Sequence, residues 1–237
     1  MNIDIDKINN LKIDFKFIPN QKLYFALAKK DKVDFIYNTS ALEGNAMTFP
    51  EVQTLLEGVT IGGHKLSDEQ QILNQNRSVN LLFEMIENNT FGISKNIFCE
   101  LQSKVAFEEA LIWGKFRDGH VNIGGTEYSP PLAGDLDNIF TNGIVMINKI
   151  SNPILKAIVF FLFGAKNQFF YDGNKRTSRL MMNGILLQEG YPMLNIKAKD
   201  KLEFNEMMLD FYDTDDIFKA ISYLSSYYHR QNKVYIS

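Results

Sequence analysis

Phe169-Phe170-Tyr171-Asp172-Gly173-Asn174-Lys175-Arg176-Thr177-Ser178-Arg179 is the stretch around which the chain is organised: an apolar run ends, turns, and restarts as a helix carrying two arginines three residues apart. The acidic residue before Gly-Asn marks the turn, and Lys175 to Gln188, rich in Leu, Met and Ile, has helical spacing and length. Asp172 is the expected N-cap. The first amides of the new helix, on Gly173, Asn174 and Lys175, lack intrahelical acceptors, and glycine lets an anion come close to the backbone. Such an entrance is a phosphate cradle. Arg176 and Arg179 share a helical face, so both guanidinium forks can reach one polyphosphate. Asp172 fits beside phosphate only through a divalent cation, and its hard oxygens suit magnesium. The plainer reading of the same residues is a helix start whose arginines pair with surface carboxylates.

The run resembles the signature of Fic-domain proteins: His, Pro, Phe, any residue, Asp or Glu, Gly, Asn, Gly or Lys, Arg, two variable residues, Arg. It matches from Phe170 through Arg179. The resemblance implies that Asp172 holds magnesium, that Gly173, Asn174 and Lys175 bind phosphates, and that Arg176 and Arg179 complete an ATP site. One departure stands out. Gln168 occupies the place of the family's histidine, and Phe169 that of its proline. In the family that histidine takes the proton from a target hydroxyl as it attacks the α-phosphate of ATP, work suited to a group titrating near neutrality. A glutamine amide has no basic site at pH 7, and losing a general base typically costs about 100 to 10,000-fold in rate. The resemblance therefore implies a relative of protein adenylyltransferases that binds ATP and Mg2+ and transfers AMP weakly or not at all. A nucleotide-binding pseudoenzyme acting as a regulatory interaction module is one alternative. A Doc-like protein phosphotransferase is another, suggested by Lys175, where adenylate-transferring members most often have glycine.

Thr39-Ser40-Ala41-Leu42-Glu43-Gly44-Asn45 reads on its own as a helix end with Gly44 behind it. Beside a Fic signature it resembles the family's autoinhibitory motif, which implies that Glu43 pairs with Arg179 and obstructs the γ-phosphate position, with Thr39 in the same motif. The expected fold is mainly α, a Fic-fold helical bundle with a small β-hairpin flap. Residues 1–66 form an N-terminal helical region carrying the motif, and residues 67–237 a Fic core, all in one structural domain.

Along the chain, Gln21–Asn38 reads as one helix, and Thr48 and Ser67 as capping boxes of the next two. Ser94 caps a helix to about Ile112, Leu132–Ile150 forms another, and Ile154–Asn167, apolar in every direction, must be buried on all sides. Ala198–Phe211 and Asp215–Arg230 close the chain. Between them, residues 113–131 are broken by Gly114, Gly119, Gly124, Gly125, Pro130 and Pro131, which leaves a small hairpin or a surface loop. The resemblance implies a flap there, with Val121, Asn122 and Ile123 as the strand beside which an unidentified target protein docks. Of the three histidines, His64, His120 and His229, only His120 falls in that flap.

Composition bounds the rest. A chain of 237 residues that is 45% hydrophobic and 22% charged is that of an ordinary globule, and a net charge of -3 argues against nucleic acid as a partner. The lone Cys99 cannot close an intramolecular disulfide, no cysteine–histidine cluster has metal-ligand spacing, and the longest apolar run is too short to span a bilayer. The expectation is a cytoplasmic protein that does not meet a membrane; a homo-oligomer is compatible with the sequence.

Overall fold

The computed structural model describes residues 3–11, 13 and 16–235. The chain is helical: α1 (Ile5–Asn9), α2 (Gln21–Lys30), α3 (Lys32–Leu42), α4 (Phe49–Leu56), α5 (Leu66–Glu87), α6 (Lys95–Val105), α7 (Leu136–Asn148), α8 (Pro153–Asn167), α9 (Asn174–Gln188), α10 (Lys201–Thr214) and α11 (Ile217–Asn232). No β-strand forms among the described residues, so the expected hairpin at 113–131 is absent as such. That segment runs extended and turned, held by side chains instead of a ladder.

The centre of the fold is the pair α8 and α9. Every residue of α8 from Ala157 to Asn167 is buried, as its all-round apolar sequence requires, and Asn152 caps it through bonds from the Ile154 and Leu155 amides. α9 is equally enclosed from Arg176 to Leu187. The two lie close because Gly164 faces Ser178, where a β-carbon would collide with the serine side chain. Around this pair α5 and α6 pack on one side, α7 and α11 on another, and α2 and α3 bring the N-terminal part against α9 and α5. Buried apolar residues from Ile36 of α3 to Leu224 of α11 belong to one continuous core.

Several element boundaries differ from the sequence reading. The stretch expected as one helix from Gln21 breaks at Asp31, which lets α2 lean on α9 while α3 turns onto α5. Ser67 lies inside α5, which starts at Leu66, whereas the Thr48 box is formed and Glu51 accepts from the Thr48 amide at 2.7 Å. α6 stops at Val105 instead of Ile112. Glu108 there takes a left-handed conformation at φ 59°, and the reversal aims Glu109 back at α9. A 3-10 turn, Ala133–Asp135, precedes α7, and another, Ala198–Asp200, precedes α10, so each of these helices starts three or four residues late.

An aromatic cluster supports the turn between α8 and α9. Phe169, standing where the family has proline, meets Phe116 at 4.8 Å, Phe140 and Phe163 at 5.3 Å and Phe98 at 5.8 Å between ring centroids. Phe170 lies 4.8 Å from Phe98. Such pairs contribute about 0.5–1.5 kcal/mol each beyond area burial. They fix the depth at which Gln168 and Asp172 emerge.

Candidate functional site

The chain leaves α8 through Gln168, whose backbone is left-handed at φ 47°, ψ 59°. A non-glycine residue holds that conformation only when its surroundings over-determine it. Here Arg117 supplies the constraint. Its guanidinium is 3% exposed and donates to three carbonyls, those of Gln168 at 2.6 Å, Gly119 at 2.6 Å and Pro131 at 2.5 Å. One side chain thus ties both ends of the 119–131 segment to the start of the turn. The Gln168 side chain is fully engaged: its amide donates to the Ala165 carbonyl at 2.6 Å and its oxygen accepts from Asn174 at 3.0 Å. Asn174 in turn accepts from the Phe170 amide at 2.9 Å and donates to the Phe170 carbonyl at 2.8 Å.

The N-cap position of α9 belongs to Gly173, not Asp172. Gly173 is left-handed at φ 77°, and a β-carbon on it would stand 2.9 Å from Val105, so both the turn and the packing on α6 require glycine. The Asp172 carboxylate accepts from the Gly173 amide at 2.5 Å, one residue on, and cannot reach deeper into the helix. No side chain caps α9. Its entrance therefore keeps the open amides and positive dipole end that favour an anion.

Beside this entrance lies a cavity of about 300 Å³ lined by Gln168, Tyr171 to Arg176, Asn122 to Gly124 of the flap segment, Glu43 and Tyr212. Larger grooves elsewhere, such as one of about 440 Å³ between Leu11 and α11, lack charged convergence and lie away from the turn. Both arginines are buried against carboxylates. Arg176 meets Glu109 at 2.8 Å and the Val105 carbonyl at 3.2 Å, with Asp172 at 3.5 Å. Arg179, 1% exposed, meets Glu43 at 2.6 Å and the Thr39 carbonyl at 3.5 Å. The other oxygen of Glu43 lies 3.1 Å from Lys175. Arg179 does not line the cavity; Glu43 stands between them.

Burial opposes ionisation of Glu43, yet Lys175, Arg179 and Arg176 outweigh it and bring its carboxyl down to about 2. It is an anion at any working pH. Asp172 is the exposed carboxylate of the cavity, its side chain 55% accessible. Among the described residues no group of three or more His, Cys, Asp or Glu converges on a metal site. A hard cation held here would take Asp172 plus oxygens of a phosphate ligand, the usual arrangement for magnesium.

None of the three histidines reaches the cavity. His64 pairs with Glu51 at 3.1 Å, His229 lines the groove beside Leu11, and His120 lies exposed outside the lining. Asn122 and Ile123 line the cavity and Val121 does not. Thr39 is buried in α3 and contributes its carbonyl to Arg179. Sequence reasoning missed Glu109 and Tyr212 as neighbours of the turn. Neither sits in a local pattern, since one lies in an irregular reversal and the other at the end of α10. Cys99, buried, has its thiol pushed up by burial to about 11 and takes no part.

A helical bundle that presents an open glycine-asparagine turn and two arginines at the start of its central helix defines a class, and the comparisons name it. Residues 92–186 match the Fic/DOC family. Protein adenylyltransferase Fic of Aedes aegypti is 25% identical over 186 residues, 76% of this chain and 37% of that protein. The protein of the same name from Nematostella vectensis is 25% identical over 211 residues, 86% of this chain and 49% of that protein. A Fic domain containing signaling protein from Bacteroides thetaiotaomicron superposes with a TM-score of 0.75 at 24% identity, covering 98% of this chain and 93% of that one. Residues 92–186 thus carry a Fic/DOC-family domain similar to that of the protein adenylyltransferases, and the chain spans a third to a half of the length of these two curated relatives. Among the described residues no helix is long and apolar enough to cross a membrane.

Proposed function

We propose that this chain binds ATP and magnesium at the turn before α9, that Glu43 on Arg179 holds the site in an inhibited state, and that AMP transfer to a protein hydroxyl is weak or absent. The observation that carries the reading is the placement of Glu43: its carboxylate lines the cavity and takes one nitrogen of the Arg179 guanidinium behind it and the Lys175 ammonium beside it, two cations that a terminal phosphate would otherwise engage. Gly173, Asn174 and Lys175 would receive the phosphates, with Arg176 beside them. Magnesium would be held by Asp172 and would neutralise phosphate charge.

The absence of turnover rests on Gln168. Both ends of its amide are spent on Ala165 and Asn174, and no histidine lines the cavity, so a target hydroxyl meets no imidazole there; of the cavity's carboxylates, Glu43 is tied to Arg179 and Lys175, and Asp172 is given to magnesium in this reading. That locked amide also favours a second reading, in which the nucleotide-bound chain acts as a regulatory module. Residues 113–131 serve as the flap in either case. Anchored at its ends by Arg117 and extended between them, the segment can gain its strand pairing from a docked target at Val121 to Ile123.

The test uses α- and γ-labelled ATP with the unaltered protein, Glu43→Gly, Gln168→His and the double variant, together with calorimetric ATP binding. Glu43→Gly should tighten ATP binding at least tenfold, and α-label should reach protein only when Gln168→His is present. Robust α-label transfer by the unaltered chain would defeat the pseudoenzyme assignment. Transfer of γ-label would favour a Doc-like phosphotransferase, and no binding after Glu43→Gly would remove the nucleotide reading altogether.

A further inference from the structure

Tyr212, in the last turn of α10, has a place in the cavity that the reading above does not use. It is 3% exposed, its ring lines the cavity with Glu43 and Lys175, and its hydroxyl is buried without any hydrogen-bond partner. Among the described residues lining that cavity it is the one buried side chain with an unsatisfied polar atom. A buried hydroxyl left unpaired is costly, and native structures keep one where a ligand or water completes it.

The surroundings hold this hydroxyl in place. The Tyr212 ring stacks on Tyr128 of the flap segment at 6.2 Å and 11° between planes. The buried Lys166 ammonium donates to the Phe211 and Tyr212 carbonyls at 3.2 Å and sits 4.5 Å over the Tyr128 ring. Thr126 of the same segment bonds Asp213. Burial, and then the Glu43 charge, push the phenol up, with Arg179 opposing, so the group stays a protonated donor. Tyr212 lines the cavity together with Glu43 and Lys175, the residues that the proposed function sets against the terminal phosphate.

We propose that Tyr212 is a ligand-contacting residue of this site, its hydroxyl donating to a phosphate oxygen at the end of the cavity where Glu43 stands. The assignment rests on the ATP reading. It adds to the motif residues a donor from α10, and through the Tyr128 stack it links phosphate contact to the position of the flap.

The experiment is calorimetric binding of ATP and of AMP, with magnesium, to full-length Glu43→Gly and to Glu43→Gly/Tyr212→Phe, with melting temperatures for both. Phenylalanine keeps the ring and its stack and removes only the unpaired oxygen. ATP affinity should fall about tenfold, as expected for a hydrogen bond to a charged acceptor, with AMP affinity unchanged and the melting temperature unchanged or raised, since the unpaired hydroxyl is gone. Unchanged ATP affinity overturns the proposal. Equal losses for ATP and AMP overturn it too, by moving the contact to the nucleoside or α-phosphate, as does a lowered melting temperature with loss for both ligands. If Glu43→Gly itself binds no ATP, the nucleotide reading fails first and this contact with it.

Discussion

Arg176 and Arg179 stand three residues apart on one helix, and each meets a carboxylate, but the two regions that supply those carboxylates are built differently. Glu109 comes from the reversal after α6, and its other oxygen accepts from Asn74 of α5 at 2.8 Å. Asn74 also donates to the Phe107 carbonyl at 2.7 Å, so three parts of the chain close around Arg176. Glu43 comes from the end of α3, in the C-cap position ahead of Gly44 at φ 97°, and is held by the cations it faces. Behind it the Arg179 Nε has no partner. One pair pins the helix to its scaffold. The other joins Glu43 to Arg179 and Lys175 at the wall of the cavity.

The largest expected effect tests the pinned side. Glu109→Ala leaves Arg176 with a backbone carbonyl and a distant Asp172, and should cost about 3 kcal/mol in urea unfolding, as for a buried ion pair missing one partner. Glu43→Gly should cost less, about 1–2 kcal/mol, because water entering the cavity re-solvates Arg179, whose other contacts are the Thr39 carbonyl and the Phe204 ring. Equal losses would erase the distinction between pin and latch. A smaller effect sharpens it. Lys175 is partly exposed, so its contact with Glu43 is weak, and Lys175→Ala in the unaltered chain should raise ATP affinity about two- to fivefold. In the Glu43→Gly background the same change should lower it, since Lys175 then faces phosphate; a fall in both backgrounds would show that the lysine serves the ligand alone.

The smallest effect expected is a null one. Glu43 has a folded-state value of about 2, below that of an ordinary carboxyl. A depressed carboxyl stabilises fully above its unfolded value and loses that contribution as pH falls through the folded one. The latch should therefore hold unchanged from pH 5 to 9 and weaken only in strong acid, between about pH 4 and pH 2. ATP affinity that climbs between pH 7 and pH 5, but not in Glu43→Gly, would show the carboxyl titrating far higher than its neighbours allow.

Much of the helical order is legible in the sequence because its causes are local. The all-round apolar face of α8, the Pro153 start and the Thr48 box each act within a few residues. The errors fall where tertiary demand overrides local preference. The stretch Phe107 to Ile112, free of Gly and Pro, could continue α6, yet the chain reverses there so that Glu109 can meet Arg176 and Phe107 can pack on Trp113 at 5.4 Å. Asp172 looks like a cap, but the left-handed Gly173 takes the position and keeps the amides of α9 open. In the flap, glycine and proline spacing suggested a hairpin, whereas Arg117, Thr126 and Tyr128 hold it to the bundle without strand pairing.

What the sequence determined by itself is the place of the turn: Asp-Gly-Asn-Lys-Arg at the start of an apolar helix is contiguous, so a helix entrance with amides that have no helical acceptor follows from it. The missing proton acceptor is equally plain, since a glutamine side chain is not basic wherever it points. Only the tertiary structure decided what faces that turn. Glu43 lies 136 residues from Arg179, Glu109 lies 67 from Arg176, and Tyr212 sits on another helix, so no local pattern records their approach. Burial of one continuous core brings them together, and the low dielectric of that core turns the encounter into a charge contact strong enough to hold a carboxylate ionised against its own desolvation.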